Sequence, residues 1–225
     1  MNGIALAVVT DGRDCVHTTI ASALAMLEGP ITEYWLYDDS GDILHTAALR
    51  SRYAPIGFRV WSHPGGRQGF GGAIRYLWST LTEESDAEWV WHCEDDFTFN
   101  REVPLARMAT VLRTNAHLAQ ICLRRQAWNE AEKAAGGIVE LNPGDYVDRR
   151  DVFGNQWLEH RRCFSSNPCL YRRSLCQRGW PDVKHSEGVF THDLLADGYR
   201  FAYWGDRYDP PWVTHTGHER VGSGY

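Results

Sequence analysis

Apolar and polar positions divide the chain into short apolar runs closed by polar turns, alternating with longer stretches whose apolar residues recur at helical spacing. The run IALAVVT (Ile4 to Thr10) predicts a strand; the polar break DGRD follows, and CVHTTIASALAMLEG predicts a helix. A second strand, EYWLY (Glu33 to Tyr37), ends in the acidic turn DDSGD. A helical stretch from Ile43 to Tyr53, a short strand at Phe58 to Trp61 and the glycine-dense HPGGRQGFGG come next, the last leading into the helical AIRYLWSTLTEES. The strand EWVWHC (Glu88 to Cys93) ends in EDD, and VPLARMATVLRT predicts a helix before a strand at Leu118 to Leu123. Periodicity fades from Arg124 to Cys163. It returns in PCLYRRSL, in the helical GVFTHDLLADG and in the strand YRFAYWG, ahead of an irregular tail carrying His215 and His218.

Strands alternating with helices predict an α/β fold: one domain over residues 1–225, its sheet mostly parallel and covered by helices on both faces. In such sheets ligands bind beyond the carboxyl ends of the strands, where DGRD, DDSGD and EDD all fall. With 43% hydrophobic and 23% charged residues the composition is that of a soluble globular protein. No apolar run approaches the roughly 20 residues that span a bilayer, so no transmembrane segment is expected. A formal net charge of -6 disfavours nucleic acid as a partner, although the arginines at 149, 150, 161 and 162 are close enough in sequence to meet an anion. Six cysteines without zinc-ligand spacing fit reduced thiols and a cytoplasmic setting.

Three adjacent carboxylates, Glu94, Asp95 and Asp96, at the end of a buried strand are costly unless a cation or strong hydrogen bonds compensate them. Their hard oxygens suit Mg2+ or Mn2+, with positions left open for phosphate. The turn Asp38, Asp39, Ser40, Gly41, Asp42 has the short side chains that let a nucleotide approach, and equally those of an ordinary helix cap. The glycines at 65, 66, 69, 71 and 72 precede a helix, so Gly69 and its neighbours, with Arg67 or Arg75, predict either a loop that closes on an anion or a plain turn.

Taken together these segments resemble a family 2 glycosyltransferase of the GT-A fold. AVVTDGR followed by TTIASAL is similar to the family's opening strand, polar loop and helix. YDDSGD matches its acidic turn with Ser and Gly exchanged, GFGGAIR its glycine-rich segment without the usual asparagine, and CEDDF its D-x-D motif with Glu94 and Asp96 outermost. The resemblance implies a nucleotide-sugar donor, UDP-sugar foremost, held in the first hundred residues. Thr10, Asp11 and Arg13 would line the nucleotide pocket, Asp38 and Asp39 would lie near the base or ribose, and Gly69, Arg75 and Asp95 would stand close by. Asp96 would be the direct ligand of Mn2+ or Mg2+, with Glu94 and His215 or His218 completing the shell. SEGVFTHDLLADGYRFAYWG is similar to the family's C-terminal acidic motif, helix and G-Y-R, which implies Glu187 as general base, Asp193 as its substitute and inversion at the anomeric carbon. The acceptor, a protein, a glycan or another hydroxyl-bearing molecule, would meet residues 101–225. A sugar nucleotidyltransferase and a non-catalytic nucleotide-sugar or glycan-binding relative are the alternatives; the former wants a basic loop after the first strand, which DGRD does not supply.

Overall fold

Alternating residues of the buried strands face two separate helical layers. The computed structural model describes residues 3–217, so His218 lies outside the described residues. Its elements run β1 (Ile4–Thr10), α1 (Cys15–Met26), β2 (Leu27–Glu28), β3 (Ile31–Asp38), α2 (Ile43–Tyr53), β4 (Phe58–Trp61), α3 (Gly69–Glu84), β5 (Trp89–Glu94), β6 (Phe97–Phe99), β7 (Val103–Pro104), α4 (Leu105–Thr114) and β8 (Leu118–Cys122). There follow α5 (Glu130–Ala135), α6 (Ile138–Leu141), β9 (Tyr146–Arg150), β10 (Gln156–His160), β11 (Cys169–Arg172), α7 (Ser186–Ala196), β12 (Arg200–Trp204) and β13 (Val213–His215).

One nine-stranded sheet carries the fold, in the order β4-β3-β1-β5-β11-β8-β12-β10-β9. Its pairings are parallel from β4 through β5; only β11 and β10 run against the rest, so the ends of β1, β3 and β5 open on one side. On one face Leu6, Val8, Trp91 and Cys93 pack against Val16 and Ile20 of α1 and Met108 of α4. On the other, Ala5, Ala7, Trp35 and Val90 meet Ile74, Leu77 and Trp78 of α3 and Phe190 and Leu194 of α7. Burial on both faces is why these strands read as unbroken apolar runs rather than as alternation. The small Ala5 and Ala7 leave room for Trp78, whose Nε1 donates to Tyr171 Oη at 3.0 Å.

The glycine run departs from the loop expected of it. Gly69, Gly71 and Gly72 form the first turn of α3, and only Gly65 and Gly66 remain in the turn before it. Gln68 makes no side-chain cap; instead Asp39, from the loop after β3, accepts from the Gln68 N–H at 2.8 Å and from the Gly69 N–H. A carboxylate supplied by another loop thus satisfies donors that a helix start leaves without partners.

The unreadable stretch from 124 to 163 folds as α5, α6 and the β9–β10 hairpin, which closes the far edge of the sheet. The tail expected to be irregular contains β13, which pairs antiparallel with β6 so that His215 lies opposite Phe97. All six cysteines are free thiols, and among the described residues no helix is long and apolar enough to cross a membrane.

Candidate active site at the ends of β1, β3 and β5

Three carboxylates at the end of β5 point three ways. Asp95, buried, accepts from Thr10 Oγ1 at 2.6 Å and from the Asp11 N–H at 3.3 Å, and is paired with the Arg13 guanidinium. It ties the β1 loop to the β5 turn. Burial raises its carboxyl to about 6, against the pull of Arg13 and Thr10. Arg13 also donates through Nε to Asp11 at 2.7 Å and through Nη1 to Asp96 at 2.8 Å, so one cation serves three acids. Gly12 takes φ +99°, and a Cβ there would lie 2.7 Å from Ser40 Cβ; the loops after β1 and β3 touch because the residue is glycine.

Asp96 Oδ2 receives Arg13 and stands 3.1 Å from His215 Nε2. Its backbone carbonyl accepts the Thr216 N–H at 2.7 Å, which presses the C-terminal segment onto the turn. Burial would raise the Asp96 carboxyl, but hydrogen bonds and charge from His215 and Arg13 hold it below the usual carboxylate range. Its Oδ1 is buried without a hydrogen-bond partner among the described residues. The His215 ring is fixed between Phe97 and Trp128, with centroids 4.8 and 4.6 Å away, and Gln126 brackets its backbone from both sides. Trp128 remains 44% exposed and carries Arg125 over its ring. Gln126 and Trp128 fall in the stretch without periodicity, so no sequence signal marked them.

Glu94 turns from its neighbours: Oε1 accepts from Ser166 Oγ at 2.6 Å, and the Ser166 N–H donates to Glu187 Oε1 at 2.9 Å. Ser166 therefore joins Glu94 to Glu187 at the start of α7. Burial, with Asp96 and Glu187 adding to it and Ser166 opposing, pushes Glu94 up to about 8.

The remaining expected residues divide. Asp38 accepts from Thr46 Oγ1 at 2.6 Å, from His45 Nδ1 at 3.1 Å and from the Ser40 N–H, bracing the start of α2. Asp39 caps α3 while remaining beside the β1 loop, and burial raises its carboxyl against the Gln68 and Gly69 N–H groups. Arg75 is directed to Pro181 and Asp182, ahead of α7. Asp193 is exposed on α7, and among the described residues it forms no hydrogen bond or ion pair with the side chains of this cluster.

Among the described residues no group of three or more His, Cys, Asp or Glu side chains is arranged to hold a metal. Two donors, Asp96 and His215, do meet, and the unpartnered Asp96 Oδ1 beside them suits a cation that takes its other ligands from phosphate oxygens and water.

The fold is of the GT-A glycosyltransferase type. The chain is similar in structure to TarS 1–349 of S. aureus, solved with UDP-GlcNAc: the TM-score is 0.62 at 16% identity, over 99% of this chain and 61% of that one. It is likewise similar to the mannosyltransferase PcManGT of Pyrobaculum calidifontis, solved with GDP-Man and Mn2+, with a TM-score of 0.62 at 13% identity, over 96% of this chain and 57% of the other. The chain thus spans about three fifths of the length of these solved chains. No protein-family model and no curated protein matches the sequence.

Proposed function

We propose that the protein is a glycosyltransferase that moves a sugar from a nucleotide-diphosphate sugar, UDP-sugar foremost, to an acceptor hydroxyl with inversion, in a cytoplasmic setting. The observation that carries this reading is the buried, unpartnered Oδ1 of Asp96 next to His215, on the ligand-binding side of a GT-A sheet, with Glu187 approaching the same turn through Ser166. The first hundred residues would hold the donor and residues 101–225 the acceptor.

Asp96 and His215 would hold Mn2+ or Mg2+. When bound, the ion would neutralise charge developing on the departing diphosphate. Arg13 stands beside the same carboxylate and adds positive charge at the nucleotide end of the site. Glu187, partly buried, would take the proton of the acceptor hydroxyl, a role worth about 10²- to 10⁴-fold in rate. The Ser166 N–H fixes the orientation of that carboxylate.

A sugar nucleotidyltransferase is less well supported. Arg13 is the only basic side chain of the loop after β1, and it is engaged by three acids rather than offered to a triphosphate. A calorimetric screen of UDP-, GDP- and dTDP-sugars with Mn2+, Mg2+ or EDTA, on wild type and Asp96→Ala, tests the proposal. Cation-dependent binding of one donor, lost in the variant, is expected; binding of none would end this reading.

A further inference from the structure

Beside Glu187 a cleft of about 340 Å³ is lined by Arg161, Arg162, Cys163, Ser165, Gly188 and His192 among others. Its volume is that of a small-molecule site. Two guanidiniums on one wall, in a cleft that also holds the His192 imidazole of α7, stand out in a chain of net charge -6.

The wall is built to hold its position. Arg161 and Arg162 directly follow β10, which is hydrogen-bonded between β12 and β9, and the Arg162 N–H donates to His160 Nδ1 at 3.3 Å. The opposite wall is the first turns of α7, where Thr191 accepts from the Phe164 N–H at 2.9 Å and donates to the Glu187 carbonyl at 2.7 Å. At Gly188 a Cβ would meet nothing within 4 Å, so the space by Glu187 is open.

The side chains, in contrast, are available. Arg161 is exposed and forms no ion pair among the described residues. Arg162 pairs with Asp145 at 3.0 Å, both side chains about half exposed, a surface contact of little net worth that a better anion can displace. Arginine forks match phosphate oxygens in pairs, and two forks serve a phosphate's three or four oxygens better than a carboxylate's two.

We infer that the acceptor carries a phosphate ester near the hydroxyl that is glycosylated, and that Arg161 and Arg162 receive that phosphate in the cleft beside Glu187. The inference rests on the proposed acceptor-side role of Glu187. It accounts for a basic wall that donor binding at the end of β5 does not use.

Titration calorimetry on the full chain, with UDP and Mn2+ present, compares a hexose 6-phosphate, the uncharged hexose, the matching hexuronate and inorganic phosphate. The sugar phosphate should bind at least about tenfold more tightly than the hexose and the hexuronate, and inorganic phosphate should compete with it. Arg161→Gln with Arg162→Gln should weaken sugar phosphate about tenfold or more and leave UDP-sugar binding unchanged; both side chains are exposed, so an unchanged Tm verifies the fold. Equal binding of phosphate and hexose, a hexuronate bound as tightly as the phosphate, or indifference to the double substitution overturns the inference. UDP-sugar binding in the same preparations separates the two ideas: donor bound without arginine-dependent phosphate binding defeats this inference alone, whereas loss of donor binding in wild type defeats the proposed function.

Discussion

His215 Nε2 lies 3.1 Å from Asp96 Oδ2, joining the last described strand to the turn that ends β5. Under the proposed function Asp96→Ala removes cation-dependent donor binding, and His215→Ala weakens it by at least about 10-fold, since even the groups behind a metal's ligands cost about 10- to 100-fold when changed. Calorimetry with Mn2+ and with EDTA reads both; donor affinity unchanged in His215→Ala would remove that residue from the ligand set.

Arg13 is the counter-charge for Asp95 and Asp96, and leaving buried carboxylates without it is expensive. Arg13→Gln should cost about 3 kcal/mol in EDTA, toward the low end for a broken buried pair because the arginine is partly exposed. Mn2+ should restore part of the loss by supplying charge at Asp96. Urea unfolding with and without the ion checks this, and an Arg13→Gln protein as stable as wild type in EDTA would show that the network is not a counter-charge.

Glu187→Gln keeps the size of the side chain and its acceptor for the Ser166 N–H but removes the base. Transfer should fall about 10²- to 10⁴-fold while donor binding stays. Single-turnover rates at saturating donor measure it; a loss confined to KM would assign Glu187 to binding only.

Burial raises the Glu94 carboxyl to about 8, above its unfolded value. The native protein therefore holds a proton there that the unfolded chain has released, and stability declines as pH rises from about 4.5 to 8. In EDTA, Glu94→Gln should flatten that decline and gain on the order of 1 kcal/mol or more over wild type at pH 9. Denaturant midpoints at pH 5, 7 and 9 decide it: parallel curves for the two proteins would mean that Glu94 is ionised throughout.

What could be read in advance follows from how each residue is used. Strands buried on both faces announce themselves as apolar runs, so β1, β3 and β5 and the acidic turns at their ends were legible, as was the helical spacing of α1, α2 and α4. The start of α3 was not, because its cap, Asp39, comes from a different loop. Three consecutive acids do not reveal where their side chains turn; Glu94 leaves the cluster because Ser166, 72 residues later, offers a hydroxyl. Between 124 and 163 the elements are too short, and the hairpin too exposed, for either periodicity to show, which hid Gln126 and Trp128. The placement of His215 on Asp96 depended on a pairing of β13 with β6 that no local pattern announces.

That pairing also orders events in time. β6 is complete early in synthesis, whereas β13 and Thr216 follow every strand of the large sheet. A nascent chain stopped before residue 213 would own the whole sheet, the β1 loop and Glu187, yet lack the imidazole beside Asp96. Under the proposed function such an unfinished chain would hold its cation and nucleotide sugar more weakly, because one of the two donors at the site comes from the last described strand.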